Sequence, residues 1–99
     1  MTATVVNLKV QRSMPPVLIY TRPFCGYCTR ALALLRQKGV AYTEIDDAAF
    51  DVQKKREMIQ KTQGRTTFPQ IFIGDRHVGG CDEIMALDRT GQLDKLLAA

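Results

Sequence analysis

Long apolar runs are missing from this chain. No segment approaches the ~20 consecutive apolar residues of a membrane-crossing helix, so no membrane association is expected. Residues 1–13 also lack the ~7–15-residue apolar core of a secretory signal, because Asn7, Lys9, Gln11 and Arg12 interrupt them. The same segment has no acidic residue and carries Thr2, Thr4, Lys9, Arg12 and Ser13, the composition of an organelle-targeting remnant. Thirteen residues is short for one, and a cytoplasmic protein is expected. Cysteine is scarce as well. Three in 99 residues is an odd count, too small for a disulfide-stapled secreted scaffold. The formal charge of +4 and pI near 9.2 raise the question of a nucleic-acid partner. No motif of the usual DNA- or RNA-binding modules is present, and the basic residues are mixed with Asp and Glu along the chain. They read as a solvated surface, some of whose cations can hold a small anionic thiol or peptide.

What is present fits one small enzyme-sized domain. Hydrophobic residues make up 45% and charged residues 24%, enough for a single core and too apolar for disorder. The most informative segment is Cys25-Gly26-Tyr27-Cys28. It stands between the β-rich run Val17-Leu18-Ile19-Tyr20 and a stretch of helix formers from Thr29 to Lys38. A cysteine at a strand-to-helix junction faces the unpaired N–H groups and positive dipole end of the helix, which favour its thiolate. Thiolate is the form that attacks a disulfide, so Cys25 is the expected nucleophile, helped by a nearby cation such as Arg22. Cys28, one turn on, can reach back to close a disulfide.

The remaining punctuation predicts an alternation of elements. Residues 17–21 read as a buried strand, and Cys28, Ala31, Leu32 and Leu35 as the inner face of a helix over 26–38. Gly39 suits its left-handed C-cap. Val40, Tyr42 and Ile45 suggest a second strand, followed by a helix over about 50–62 with Phe50, Met58 and Ile59 facing inward. Gln70–Ile73 is a strand, Gly74-Asp75 a hairpin turn and Arg76–Val78 the return strand. Asp82 and Glu83 favour a helix start, with Asp82 as N-cap and Ile84 and Leu87 inside; Gly91 separates a last helix carrying Leu93, Leu96 and Leu97. The first half can form a right-handed parallel β-α-β unit.

Three segments in fixed order then carry a family resemblance: Cys25–Cys28, the run Gly64-Arg65-Thr66-Thr67-Phe68-Pro69-Gln70-Ile71-Phe72-Ile73, and Gly79-Gly80-Cys81-Asp82. Residues 16–99 resemble a glutaredoxin of the dithiol class, similar to bacterial members, with residues 1–15 as an N-terminal extension. The resemblance implies an α/β, thioredoxin-like fold: a four-stranded mixed sheet with helices on both faces. It also implies glutathione-dependent reduction of protein disulfides and protein–glutathione mixed disulfides. Cys25 would attack, and Cys28 would resolve the intermediate when a protein disulfide is the substrate. Thr67, Phe68 and Pro69 would form a cis-proline loop beside the active site, leaving the Phe68 backbone free to pair with an extended cysteinyl peptide. Gly80, Cys81 and Asp82 would take the γ-glutamyl end of glutathione, with Asp82 on its ammonium group. Arg22 and Arg56 would face the glycine carboxylate and Tyr27 would flank the ligand. Cys81 doubles as a small buried hydrophobe.

Two departures from the family pattern matter. Gly26 stands where proline is usual in the dithiol motif, and Phe68 where valine is usual. Family members lacking that proline are the ones that can bridge a 2Fe–2S cluster between two protomers, through the first cysteine of each and two glutathiones. The resemblance therefore implies a monomer and leaves open a cluster-bridged dimer, with Cys25 as ligand, acting as carrier or sensor. Cys25, Cys28, His77 and Cys81 also make a formal Cys₃His zinc set. No second knuckle accompanies the first pair, so no resident metal is expected and His77 is read as a strand-edge residue.

Overall fold

The computed structural model describes residues 3–6 and 14–98. Their elements run β1 (Ala3–Val6), β2 (Val17–Tyr20), α1 (Gly26–Gln37), β3 (Tyr42–Ile45), α2 (Val52–Lys61), β4 (Gln70–Ile73), β5 (Arg76–Gly79), α3 (Cys81–Arg89) and α4 (Gln92–Ala98). The sheet order is β1-β3-β2-β4-β5. β2 and β3 are parallel, joined through α1, while β4 runs antiparallel to β2 and β5 antiparallel to β4. These four strands are the expected mixed sheet. A fifth strand was not foreseen. β1, inside the segment read as an extension, pairs antiparallel with β3 from Ala3↔Ile45 to Val6↔Tyr42. It occupies the edge that β3 would otherwise leave with unpaired backbone groups.

Helices cover both faces. On one, Ala31, Leu34 and Leu35 of α1, Ile84 of α3 and Leu93 and Leu97 of α4 pack on Val17, Ile19, Ile71 and Ile73. On the other, Met58 of α2 and Ala48 pack with Tyr20 and Phe72, and Phe68 leans against them. β4 is buried at all four positions because it is covered from both sides. Among the described residues no helix is long and apolar enough to cross a membrane.

Local signals explain the ends of α1. Gly39 adopts φ +70° just past it, and Lys38 binds Asp88 at 2.7 Å and Asp94 at 2.8 Å, joining the end of α1 to α3 and α4. Two expectations need correction. Phe50 does not face inward: it is 78% exposed, because the helix begins only at Val52. Asp51 is the N-cap there, its carboxylate accepting the Lys54 N–H at 3.1 Å, which leaves Phe50 in the preceding turn. Asp82 is not the N-cap of α3 either. Gly80 holds that position, and the Glu83 carboxylate accepts the Gly80 N–H. This bond from the N3 position, half of a capping box because glycine has no side chain to complete it, marks the start rather than the first acidic residue.

Candidate active site

Cys25 is the N-cap of α1, with φ −119° and ψ 104°. Its Sγ accepts the Cys28 backbone N–H at 3.2 Å, one of the donors that the start of a helix leaves without a backbone partner. The Cys25 carbonyl accepts from the Thr29 N–H and hydroxyl at 3.1 and 3.2 Å, closing the first turn. Both cysteines are buried, Cys25 retaining 7% of its surface and Cys28 3%. All three cysteines are free thiols. Burial pushes the Cys28 thiol up to about 12; its hydrogen bond to Cys25 and the Cys25 charge add to this, partly offset by Arg22. Cys28 is therefore a buried, protonated thiol beside the Cys25 sulfur.

The Phe68–Pro69 bond is cis, and the Phe68 carbonyl lies 3.9 Å from Cys25 Sγ. Beyond it opens a groove of ≈ 150 Å³, lined by Tyr27, Arg65, Thr67, Phe68, Pro69, Gly80, Cys81, Asp82 and Glu83. Seven of the eleven singled-out residues are thus brought together along one groove beside the sulfur of an eighth, Cys25. The other three lie off it. Cys28 is beneath Cys25. Arg22 is exposed, its guanidinium donating to the Pro23 carbonyl at 3.2 Å and the Phe24 carbonyl at 3.5 Å. Arg56 is exposed on α2.

The two glycines explain how the groove's far wall comes so close. A Cβ on Gly80 would stand 3.2 Å from the Pro69 carbonyl, and one on Gly79 (φ +117°) only 2.7 Å from Glu83 Oε1. Cys81 begins α3 nearly sealed, and burial pushes its thiol up, leaving it a neutral apolar wall. Asp82 is exposed in the first turn of α3, where the helix dipole favours its charge.

Arg65 and Glu83 were not singled out as site residues. Arg65 Nη2 and Glu83 Oε1 are 3.5 Å apart across the groove, both about half exposed, a pair of small energetic worth. The signal for Glu83 was its place three residues after Gly80, the capping-box spacing. Arg65 was visible only as the residue two before Thr67. His77, the histidine of the formal zinc set, lies in β5. Its Nε2 is engaged with Gln70, and among the described residues no group of three or more His, Cys, Asp or Glu side chains is placed to hold a metal.

A cysteine capping a helix after the first parallel strand, a second thiol one turn on and a cis-proline loop beside them define a thiol–disulfide oxidoreductase of thioredoxin-like fold. The glutaredoxin family model matches residues 17–78, and the chain belongs to that family. A glutaredoxin of Pseudomonas aeruginosa is 51% identical over 86 residues, covering 87% of this chain and all of the relative. The solution structure of a Brucella melitensis glutaredoxin is similar at 53% identity and TM-score 0.75, covering 87% of this chain and 91% of that one. A buckwheat glutaredoxin–glutathione complex matches at 32% identity and TM-score 0.73, over 84% and 76% of the two chains.

Proposed function

We propose that residues 16–99 form a glutathione-dependent disulfide reductase, residues 1–15 being an extension, and that Cys25 attacks protein–glutathione mixed disulfides and protein disulfides. The observation that carries this is the alignment of the Cys25 sulfur with a groove whose walls offer a peptide edge at Phe68 and the N-terminus of α3 at Gly80–Asp82. Likeness to a chain solved as a glutathione complex supports the choice of ligand. The extended tripeptide would run from Tyr27 and the Phe68 backbone to the first N–H groups of α3. Its γ-glutamyl carboxylate would meet those groups and its ammonium Asp82. Arg22 and Arg56, both exposed and outside the groove lining, would be the cations for its other carboxylate.

With a mixed disulfide, the Cys25 thiolate bonds the glutathione sulfur, the S–S bond breaks and the client leaves as a thiolate that takes a proton. A second glutathione thiolate then attacks that sulfur, releasing Cys25 thiolate and glutathione disulfide. With a protein disulfide, Cys25 bonds one client sulfur and frees the other. Cys28, once deprotonated, attacks Cys25 Sγ, and the client departs as a dithiol. Capping Cys25 as a disulfide removes its charge and its hydrogen bond, two of the causes that hold the Cys28 proton. The resolving thiol therefore becomes easier to ionise when it is needed. The reading places the protein in the cytoplasm, where a glutathione pool near −220 to −260 mV can recycle it.

The 2Fe–2S reading needs four thiolates. One chain would supply one of them through Cys25, Cys28 being held as a thiol, with the first cysteine of a second copy and two glutathiones supplying the other three. Gly26 borders open space at the start of α1, since a Cβ added there meets nothing within 4 Å. Visible absorbance of anaerobically isolated dimer tests that arrangement. The main reading is tested by steady-state reduction of a glutathionylated peptide with glutathione. Cys28→Ser should retain most of this activity and lose reduction of a protein disulfide. Equal loss of both activities would contradict the assigned roles.

A further inference from the structure

Gln70 is completely buried at the start of β4, yet every polar atom of its amide is engaged. Its Nε2 donates to the Thr67 carbonyl at 3.0 Å and to the Thr67 hydroxyl at 3.1 Å. Its Oε1 lies 2.7 Å from His77 Nε2. An amide oxygen only accepts, so His77 Nε2 must carry a proton and donate. The His77 ring is itself fixed, stacked at a tilt on Phe72 with centroids 5.0 Å apart. A chain of donors thus runs from β5 through β4 into the residue that precedes Phe68.

We infer that Gln70 and His77 are positioning residues, a buried strut that sets the Thr67–Pro69 loop against Cys25 and so fixes the edge on which the peptide part of a disulfide substrate lies. Neither side chain lines the groove, and neither touches a reacting atom. Thr67 cannot turn without losing two hydrogen bonds to an amide that His77 prevents from flipping. Burial and the charge of Arg65 both disfavour a protonated His77, with Glu83 opposing, so the neutral ring with its proton on Nε2 is the working form. The identity of the substrate rests on the glutathione reading above; the strut does not.

The test uses the full chain and a glutathionylated peptide. In wild-type protein at pH 7, long-range ¹H–¹⁵N spectra should show His77 as the Nε2–H tautomer. His77→Leu should raise KM about fivefold, the effect of losing one hydrogen bond, with kcat within about twofold. Alkylation of Cys25 by iodoacetamide should be unchanged in that variant. His77→Gln, whose amide nitrogen falls near the position of Nε2, should restore KM to within about twofold of wild type. The Nδ1–H tautomer, an unchanged KM in His77→Leu, or a loss in His77→Gln equal to that in His77→Leu would each overturn the inference. Should wild-type protein not turn over the peptide, the glutathione reading falls. The tautomer then still decides the strut, together with faster exchange of the Phe68 amide proton in His77→Leu.

Discussion

Replacing Gly79 with alanine should destabilise the protein through two separable effects. Gly79 ends β5 with φ +117°, a conformation L side chains rarely adopt, and an added Cβ would meet Glu83 at 2.7 Å from Oε1, 2.8 Å from Cγ and 3.0 Å from Cβ. Two of those atoms are near the backbone of α3, so Glu83 must move as a whole. Its carboxylate then leaves the Gly80 N–H and the Arg65 guanidinium. The backbone change costs about 1–2 kcal/mol, and the lost cap about 1 kcal/mol. The sum of roughly 2–3 kcal/mol corresponds to a fall in Tm of about 10–20 °C for a domain of this size. Thermal and urea unfolding followed by circular dichroism would measure it. Gly64→Ala is the control, since Gly64 has φ +103° with nothing within 4 Å of the added Cβ. It should show the backbone cost alone, about 1–2 kcal/mol. Glu83→Ala should cost about 1 kcal/mol. The double variant Gly79→Ala with Glu83→Ala should fall short of the additive sum by about 1 kcal/mol, because the cap cannot be lost twice. A Gly79→Ala protein as stable as Gly64→Ala, or an additive cycle, would refute the steric reasoning.

Other outcomes follow from the same geometry. Cys28 is held as a thiol to about 12, so iodoacetamide should modify Cys25 long before Cys28 as pH is raised, a sequence that peptide mapping reads directly. The raised value also has a stability consequence. Unfolded Cys28, at an ordinary 9.0, ionises first, so stability is fully present below that pH and declines as pH rises toward 12. Wild-type protein should lose stability over that window more steeply than Cys28→Ser, as urea titrations at several pH values would show. Thr62→Val should cost about 1–2 kcal/mol in chemical denaturation. The buried hydroxyl donates to the Met58 carbonyl at 2.7 Å and accepts the Arg65 N–H at 3.0 Å, tying α2 to the loop that leads into the groove.

Where local sequence and tertiary packing agreed, the chain was easy to read. β2, α1 and the β4–β5 hairpin each combine a clear period with a turn residue in the required conformation, Gly39 and Gly74 at φ +70° and +59° among them. The placement of Cys25 followed from the junction alone. Phe50 was misplaced because an apolar residue beside a helical pattern reads as core, whereas the Asp51 cap puts it outside. α2 buries only Met58 completely, so its own pattern could not correct the error. The start of α3 was misread by giving the first acidic residue priority over the glycine before it. β1 could not be read from its four residues, since the strand exists through pairing with β3, forty residues away in the chain. The strut was equally hidden: nothing local connects Thr67 and Gln70 to His77 until the hairpin folds back.

The central claim is that Cys25 at the mouth of α1 is the sulfur that takes up glutathione. Cys28→Ser protein incubated with glutathione disulfide, then subjected to intact-mass and peptide mapping, tests it most directly. The account predicts a single glutathione, attached at Cys25. An adduct at Cys81, or none at all on folded protein, would contradict it.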